Sequence, residues 1–288
     1  MKEKIVINYS FFVIIIIGGF MEYKNKLAFV AIVKNEVPYI REWILFHKMV
    51  GVDKFYIYDN DSIDNLYDEI KDFIDAGLVE YIKFPGMALQ NLAYTIAAHK
   101  YKRECKYMGF IDCDEFVHPV NCDNLCDILD QTIGENIGGI AINWRMYGSN
   151  HLYNKPDGLV IENYVLRAKD DFEPNKHIKT ICNPRTIFLF KNPHYPIYKK
   201  GYYSVSENGD KVEGPFNVGG TVNRIRINHY FTKSKEEYIK KMNRGKADSF
   251  EKRNIIEFYE HDKNDVYDFN LAKYVDPIKE ELEKNKKI

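Results

Sequence analysis

Between Leu27 and Glu115, four short apolar runs alternate with three amphipathic segments, and three of the runs end in a cluster of acidic and amide residues. Leu27 to Val33 (LAFVAIV) has no polar residue, as expected of a parallel strand buried on both faces. Lys34-Asn35-Glu36 follows, then a helix with Pro38 in its first turn, where the missing N–H costs nothing. Ile40, Trp43, Ile44, Phe46 and His47 keep helical spacing, and Gly51 stops the helix. Lys54–Tyr58 is a second strand ending in Asp59-Asn60-Asp61-Ser62, and the spacing predicts a helix over Ile63–Ala76 capped by Gly77. A strand over Leu78–Phe84, a helix over Met87–Arg103 and a strand over Tyr107–Ile111 complete the alternation, the last running into Asp112-Cys113-Asp114-Glu115. Strand–helix alternation of this kind builds a mostly parallel, Rossmann-like α/β sheet flanked by helices. Such sheets bind ligands outside the carboxyl ends of their strands, where the three polar clusters fall.

After Pro119 the pattern loosens. A short helix is expected over Cys122–Gln131 and a strand over Gly139–Tyr147, ending in the polar bend Gly148-Ser149-Asn150-His151. Residues 152–220 carry several Gly and Pro and read as acceptor-side loops with a small mixed sheet, with strand-like pieces at Tyr164–Ala168, Thr186–Phe190 and Tyr202–Ser204. Arg224–Tyr230 is a strand, and Ser234 with Glu237 makes a capping box for the next helix. The expected organisation is one catalytic domain over 21–265, followed by a charged, solvated helix over 266–288 and preceded by an apolar segment over 1–20. That segment contains Phe11–Phe20 (FFVIIIIGGF), short of the roughly twenty residues of a comfortable membrane span. Three readings stay open for it: a start at Met21, a weak signal-anchor giving membrane association through residues 5–20, or an additional buried strand.

Charge narrows the partners. With 41 basic and 42 acidic side chains the chain is balanced, which argues against a nucleic-acid binder resting on phosphate neutralisation. Cys105, Cys113, Cys122, Cys126 and Cys182 form no CxxC pair and read as free thiols of a reducing, cytoplasmic compartment. The 22 tyrosines supply many aromatic faces, most of them expected in the core.

Asp112 and Asp114 are the strongest chemical signal. Two carboxylates at i and i+2 after a buried strand reach one hard cation, Mn²⁺ or Mg²⁺, once the chain turns. Such a cation neutralises charge growing on a departing diphosphate. Asp59, Asn60, Ser62 and Asp64 suit a nucleotide's base and ribose, although Ser62 or Asp61 also serves as an ordinary N-cap. Gly148, Ser149 and His151 are candidate acceptor contacts. Lys176, His177, Lys179 and Arg185, with Lys233 and Arg244, are candidates for phosphate or an acidic acceptor.

The stretches KNEVPYIREWILFHKMVGVDKFYIYDNDSID, FIDCDEF, HIKTICNP and INHYFTKSKEEYIKKMNRGKA together resemble the glycosyltransferase family 92-like and family 2-like proteins over residues 27 to 247. The resemblance implies a GT-A fold, a nucleotide-sugar donor with UDP as the default, a carbohydrate acceptor and inversion at the anomeric carbon. It implies Asp112, Asp114 and His229 as metal ligands. It places Lys34, Asn35, Glu36, Asp59, Asn60, Ser62, Asp112, Cys113, Lys233 and Arg244 around the donor. Inversion requires a general base, for which Asp171, Glu162, Asp170 and Glu173 are candidates. Two rivals remain: a non-catalytic carbohydrate-binding protein, and a sugar nucleotidyltransferase, which would normally carry a Gly-rich loop where this chain has KNEVPY.

Overall fold

The computed structural model describes residues 22–285, so the expectations for residues 1–20 lie outside the described residues. The elements that position the site are β1 (Asn25–Val33), α1 (Val37–Met49), β2 (Lys54–Asp59), β3 (Val79–Lys83), α2 (Gln90–Lys100), β4 (Cys105–Phe110), β5 (Glu115–Pro119), α3 (Leu125–Thr132), β6 (Ile137–Met146), β7 (Ile178–Cys182), β8 (Tyr203–Val205), β9 (Lys211–Val212), β10 (Ile225–His229), α4 (Lys235–Arg244), α5 (Ile255–His261) and α6 (Val275–Asn285). One sheet runs β9-β8-β6-β7-β4-β1-β2-β3, with β10 pairing both β5 and β6. The β3-β2-β1-β4 half is parallel throughout, as the alternation predicts.

The centre of the sheet was not anticipated. β7 lies between β4 and β6, antiparallel to both, with Ile181 opposite Gly109 on one side and Ile140 on the other. Its sequence, IKTIC, places two polar residues among apolar ones and so carries little strand signal. Both polar side chains are buried here, Lys179 fully. The helix expected over Ile63–Ala76 is two short helices, Leu66–Glu69 and Lys71–Asp75, entered through Asn65 in the left-handed region at φ 59°. The Ser234/Glu237 capping box is formed as expected. The C-terminal segment is not simply solvated: Leu271, Tyr274 and Ile278 are buried, and the Tyr274 ring meets Phe46 of α1 at 5.0 Å. Among the described residues no helix is long and apolar enough to cross a membrane.

Two apolar layers hold the sheet. One packs α1 through Trp43, Ile44 and Phe46; the other packs α2 through Ala93, Tyr94 and Ala97. α1 also fixes the turn after β4. Its His47 donates from Nδ1 to the Trp43 carbonyl at 2.9 Å and accepts at Nε2 from the Val117 N–H at 3.0 Å. Trp43 Nε1 donates to the Glu115 carbonyl at 2.9 Å. Burial pushes the His47 ring down to about 3, so it stays neutral and keeps both bonds.

β4 packs so closely on β1 that a Cβ at Gly109 would lie 2.6 Å from the Phe29 ring. Gly109→Ala therefore forces the ring or the strand to shift, and is expected to cost about 1–3 kcal/mol by overpacking. Urea unfolding of the variant against the wild type measures it.

Candidate active site

The carboxyl ends of β1, β2 and β4 open into a cleft of about 410 Å³, closed on the far side by β6, β10 and the segment after α4. That volume lies within the range of small-ligand sites. Residues far apart in sequence meet here because of strand register. β10 runs antiparallel to β5 with His229 opposite Glu115, and parallel to β6 with His229 opposite Met146. The Tyr230 N–H then donates to the Asp114 carbonyl at 2.8 Å. The pairing brings His229 Nε2 to 3.6 Å from Asp114 Oδ1.

The two aspartates have different surroundings. Asp112 Oδ1 accepts from Gln90 Nε2 at 2.6 Å and from the Tyr94 hydroxyl at 2.9 Å, and its Oδ2 accepts from Lys179 Nζ at 2.9 Å. Asp114 Oδ2 accepts from Lys241 Nζ at 2.6 Å, while Oδ1 faces the imidazole. Burial alone would raise Asp114, but the Lys241 ammonium and the imidazole outweigh it and hold the carboxyl well below the usual range. Burial also opposes ionisation of Asp112, and Lys179 overcomes it. Glu115, fully buried beside them, is pushed the other way: burial raises it, with Asp112 and Asp114 adding to the rise and Lys179 opposing it.

The lining carries acids and bases in equal number, with Lys34, Lys241, Arg244, Lys246 and Arg253 alongside Glu36, Asp112, Asp114, Asp248 and Glu257. Arg244 pairs with Glu36 Oε1 at 2.5 Å and donates to the Lys34 carbonyl at 2.9 Å, tying α4 to the loop after β1. Asn60 lines the cleft and donates to the carbonyls of Phe84 and Gly86, at 2.9 and 2.7 Å. Cys113 lines it between the aspartates, its thiol pushed well up by burial.

Of the donor-side candidates, Lys34, Glu36, Asn60, Asp112, Cys113 and Arg244 meet in this cleft. Asn35, Asp59, Ser62 and Lys233 do not line it. Asn35 and Ser62 join the ends of β1 and β2: the Asn35 N–H donates to Ser62 Oγ at 3.0 Å, and Asn35 Oδ1 accepts from the Ile63 N–H at 2.8 Å. Asp59 accepts from the Tyr81 hydroxyl and the Ser62 N–H, on the side towards β3. Lys233 lies over the Tyr39 ring, 4.3 Å from its centre, in a neighbouring cavity beside α1.

None of Glu162, Asp170, Asp171 and Glu173 lines the cleft. Asp170 pairs with Arg167 at 2.8 Å and with Arg145 at 3.3 Å, Glu162 with Lys279 at 2.6 Å, and Glu173 with Lys176; Asp171 is exposed. The acceptor candidates Gly148, Ser149 and His151 also lie elsewhere. The Ser149 N–H donates to Asp262 at 2.7 Å, and a Cβ at Gly148 would fall 2.4 Å from the Lys263 carbonyl oxygen. Of the basic cluster only His177 lines the cleft. Lys179 supports Asp112 from beneath, and Arg185 holds the carbonyls of Lys102, Cys105 and Lys106.

The sequence reading missed Gln90, Tyr94, Trp144, His194 and Lys241. Gln90, at the start of an otherwise apolar helix face, was a readable signal. Lys241 stands among the lysines of KEEYIKKMNR, where nothing distinguishes it from a solvated residue.

As a metal site the arrangement fits in part. Asp114 Oδ1 has no hydrogen-bond donor among the described residues and faces His229 Nε2 in an open cleft, an oxygen and an imidazole nitrogen placed to share a cation. Asp112 has both oxygens engaged. Among the described residues no three His, Cys, Asp or Glu side chains are grouped closely enough to hold a metal ion.

The model of glycosyltransferase family 92 matches residues 30–266, and the chain belongs to that family. A family 92 protein of Ricinus communis is 27% identical over 195 residues, covering 66% of this chain and 34% of its own length. One of Arabidopsis thaliana is 28% identical over 190 residues, covering 62% and 32%. The chain thus spans about a third of the length of these curated relatives. Among solved structures, TarS 1–349 of S. aureus is similar with a TM-score of 0.40 at 11% identity, covering 70% of this chain and 60% of that one.

Removing one partner of a buried pair strands the other charge. Lys241→Met should therefore destabilise the fold by about 3–5 kcal/mol, and adding Asp114→Asn should recover a substantial part of the loss. A double-mutant cycle by chemical denaturation reads the coupling.

Proposed function

We propose that this chain transfers a sugar from a nucleotide-sugar, with UDP as the carrier, to a hydroxyl of a carbohydrate acceptor, inverting the anomeric carbon. The observation that carries the reading is Asp114 and His229 facing one another in a cleft at the carboxyl ends of a parallel sheet. Membership of family 92 supports it.

The chain's residues divide the work by position. Asn60 and the loop after β1 stand at the nucleotide end of the cleft. Lys34 and Arg253, with Arg244 and Lys246 held by Glu36 and Glu257, are the basic side chains that would meet the diphosphate. Asp114 and His229 would hold a divalent cation, Mn²⁺ or Mg²⁺. Bound there, the cation would neutralise the charge that grows on the departing diphosphate. Lys241 occupies Asp114 Oδ2 and so turns the other oxygen towards His229. Asp112 does not need to touch the cation. With Gln90, Tyr94 and Lys179 on its oxygens, it fixes the turn that carries Asp114. Inversion asks for a proton acceptor opposite the leaving group, a role left to groups lining the cleft.

The test is the melting temperature with UDP, GDP and CDP, each with and without Mn²⁺. At about a hundred times its dissociation constant a ligand adds roughly 2.7 kcal/mol, which a thermal melt reads easily. UDP is expected to stabilise the protein in the presence of Mn²⁺, and the metal-dependent part should disappear in Asp114→Asn and His229→Ala. No metal-dependent shift with any nucleotide would sink the reading and favour a carbohydrate-binding protein.

A further inference from the structure

Beside His229 the cleft is walled by aromatic rings, with Trp144 edge-on to the His229 imidazole at 4.2 Å. Trp144 of β6 stacks on His177 with ring centres 4.9 Å apart and planes within 16°, and meets His194 edge-on at 5.1 Å. The two imidazoles are 5.3 Å apart. Phe216, half exposed outside the cleft, lies edge-on against His177 at 4.5 Å. Trp144, His177 and His194 all line the cleft that holds the aspartates.

Both imidazoles have their protons placed by the backbone. His177 Nδ1 lies 3.1 Å from the Pro174 carbonyl and His194 Nδ1 lies 3.0 Å from the Ile178 carbonyl. A carbonyl oxygen only accepts, so each Nδ1 carries the hydrogen and each neutral ring leaves its Nε2 lone pair free. Neither Nε2 has a partner among the described residues. Burial lowers both rings, His194 to about 3, which keeps them neutral. These rings therefore offer hydrogen-bond acceptors and aromatic surface to the cleft.

We propose that the Trp144–His177–His194 end, with Phe216 at its mouth, is the acceptor subsite and takes a neutral sugar ring, two of whose hydroxyls donate to the imidazole Nε2 atoms. Donor and acceptor would then meet in one cleft at His229, the aromatic wall receiving a ring that has hydroxyls to donate and an apolar face to cover. The subsite rests on the transferase reading for its role and on its own geometry for its ligand. It replaces Gly148 and Ser149, which pack against the 262–264 turn, and His151, whose N–H donates to Ser149 Oγ at 3.1 Å away from the cleft.

The experiment uses the UDP-loaded protein and four probes: the methyl glycosides of galactose, glucose, mannose and N-acetylglucosamine. Saturation-transfer NMR reads binding, and initial rates with a UDP-sugar read the acceptor KM. At least one glycoside should bind the wild type. Loss of two hydrogen bonds in His177→Phe/His194→Phe, which keeps both rings, should weaken that binding by about tenfold or more and raise the acceptor KM to match. The UDP dissociation constant should stay within about twofold. Phe216→Ala, a surface change that spares the core, should weaken the same glycoside by a smaller factor. Unchanged glycoside binding in the double variant, no binding of any glycoside to the wild type, or a fall in UDP affinity in step with the glycoside would overturn the assignment. Glycoside binding that depends on the two histidines without any turnover would sink the transferase reading and leave the subsite standing.

Discussion

Two lysine–aspartate pairs govern this site, Lys241 with Asp114 buried on both sides and Lys179 buried beneath a partly exposed Asp112. Asp112 and Asp114 follow directly on a buried strand, where an isolated carboxylate would be strongly disfavoured. Lys179, from the sheet beneath, meets the first, and Lys241, from the helix above, meets the second. These contacts join three parts of the chain that the alternating pattern leaves independent: the parallel half, the inserted antiparallel strand and the helix after β10. They also make the two aspartates unequal, one with both oxygens engaged and one with an oxygen turned to His229.

The parallel half was legible because it obeys a single rule. Apolar runs end in polar clusters, and the helical crossover after each strand returns the chain parallel to it. Asp112, Asp114, Glu36 and Asn60 were found in this way, and all line the cleft. The second half was less legible because its strands are specified by partners distant in sequence. β7 looks polar until Lys179 is seen beneath Asp112. His229 gains its place only through the register of β10 against β5. Asn35, Asp59 and Ser62 had the right types at the right strand ends, but their side chains bind one another and Tyr81 instead of facing the cleft. The acidic residues between 162 and 173 were candidates by sequence order alone, and three of them are in ion pairs away from the cleft.

The division of the cleft follows from the sheet. Strand ends on the parallel side present backbone turns, amides and acids; the antiparallel side presents ring faces from β6 and the segments around β7. A ligand with a charged end and a neutral end is therefore sorted by orientation before any particular contact is made.

The Lys241–Asp114 contact also has a topological side. Lys241 lies 127 residues beyond Asp114, and His229 comes only shortly before it. A contact of that separation closes a loop holding every strand from β5 to β10, so the charge pair at the site is also a clasp between the two ends of the domain's second half.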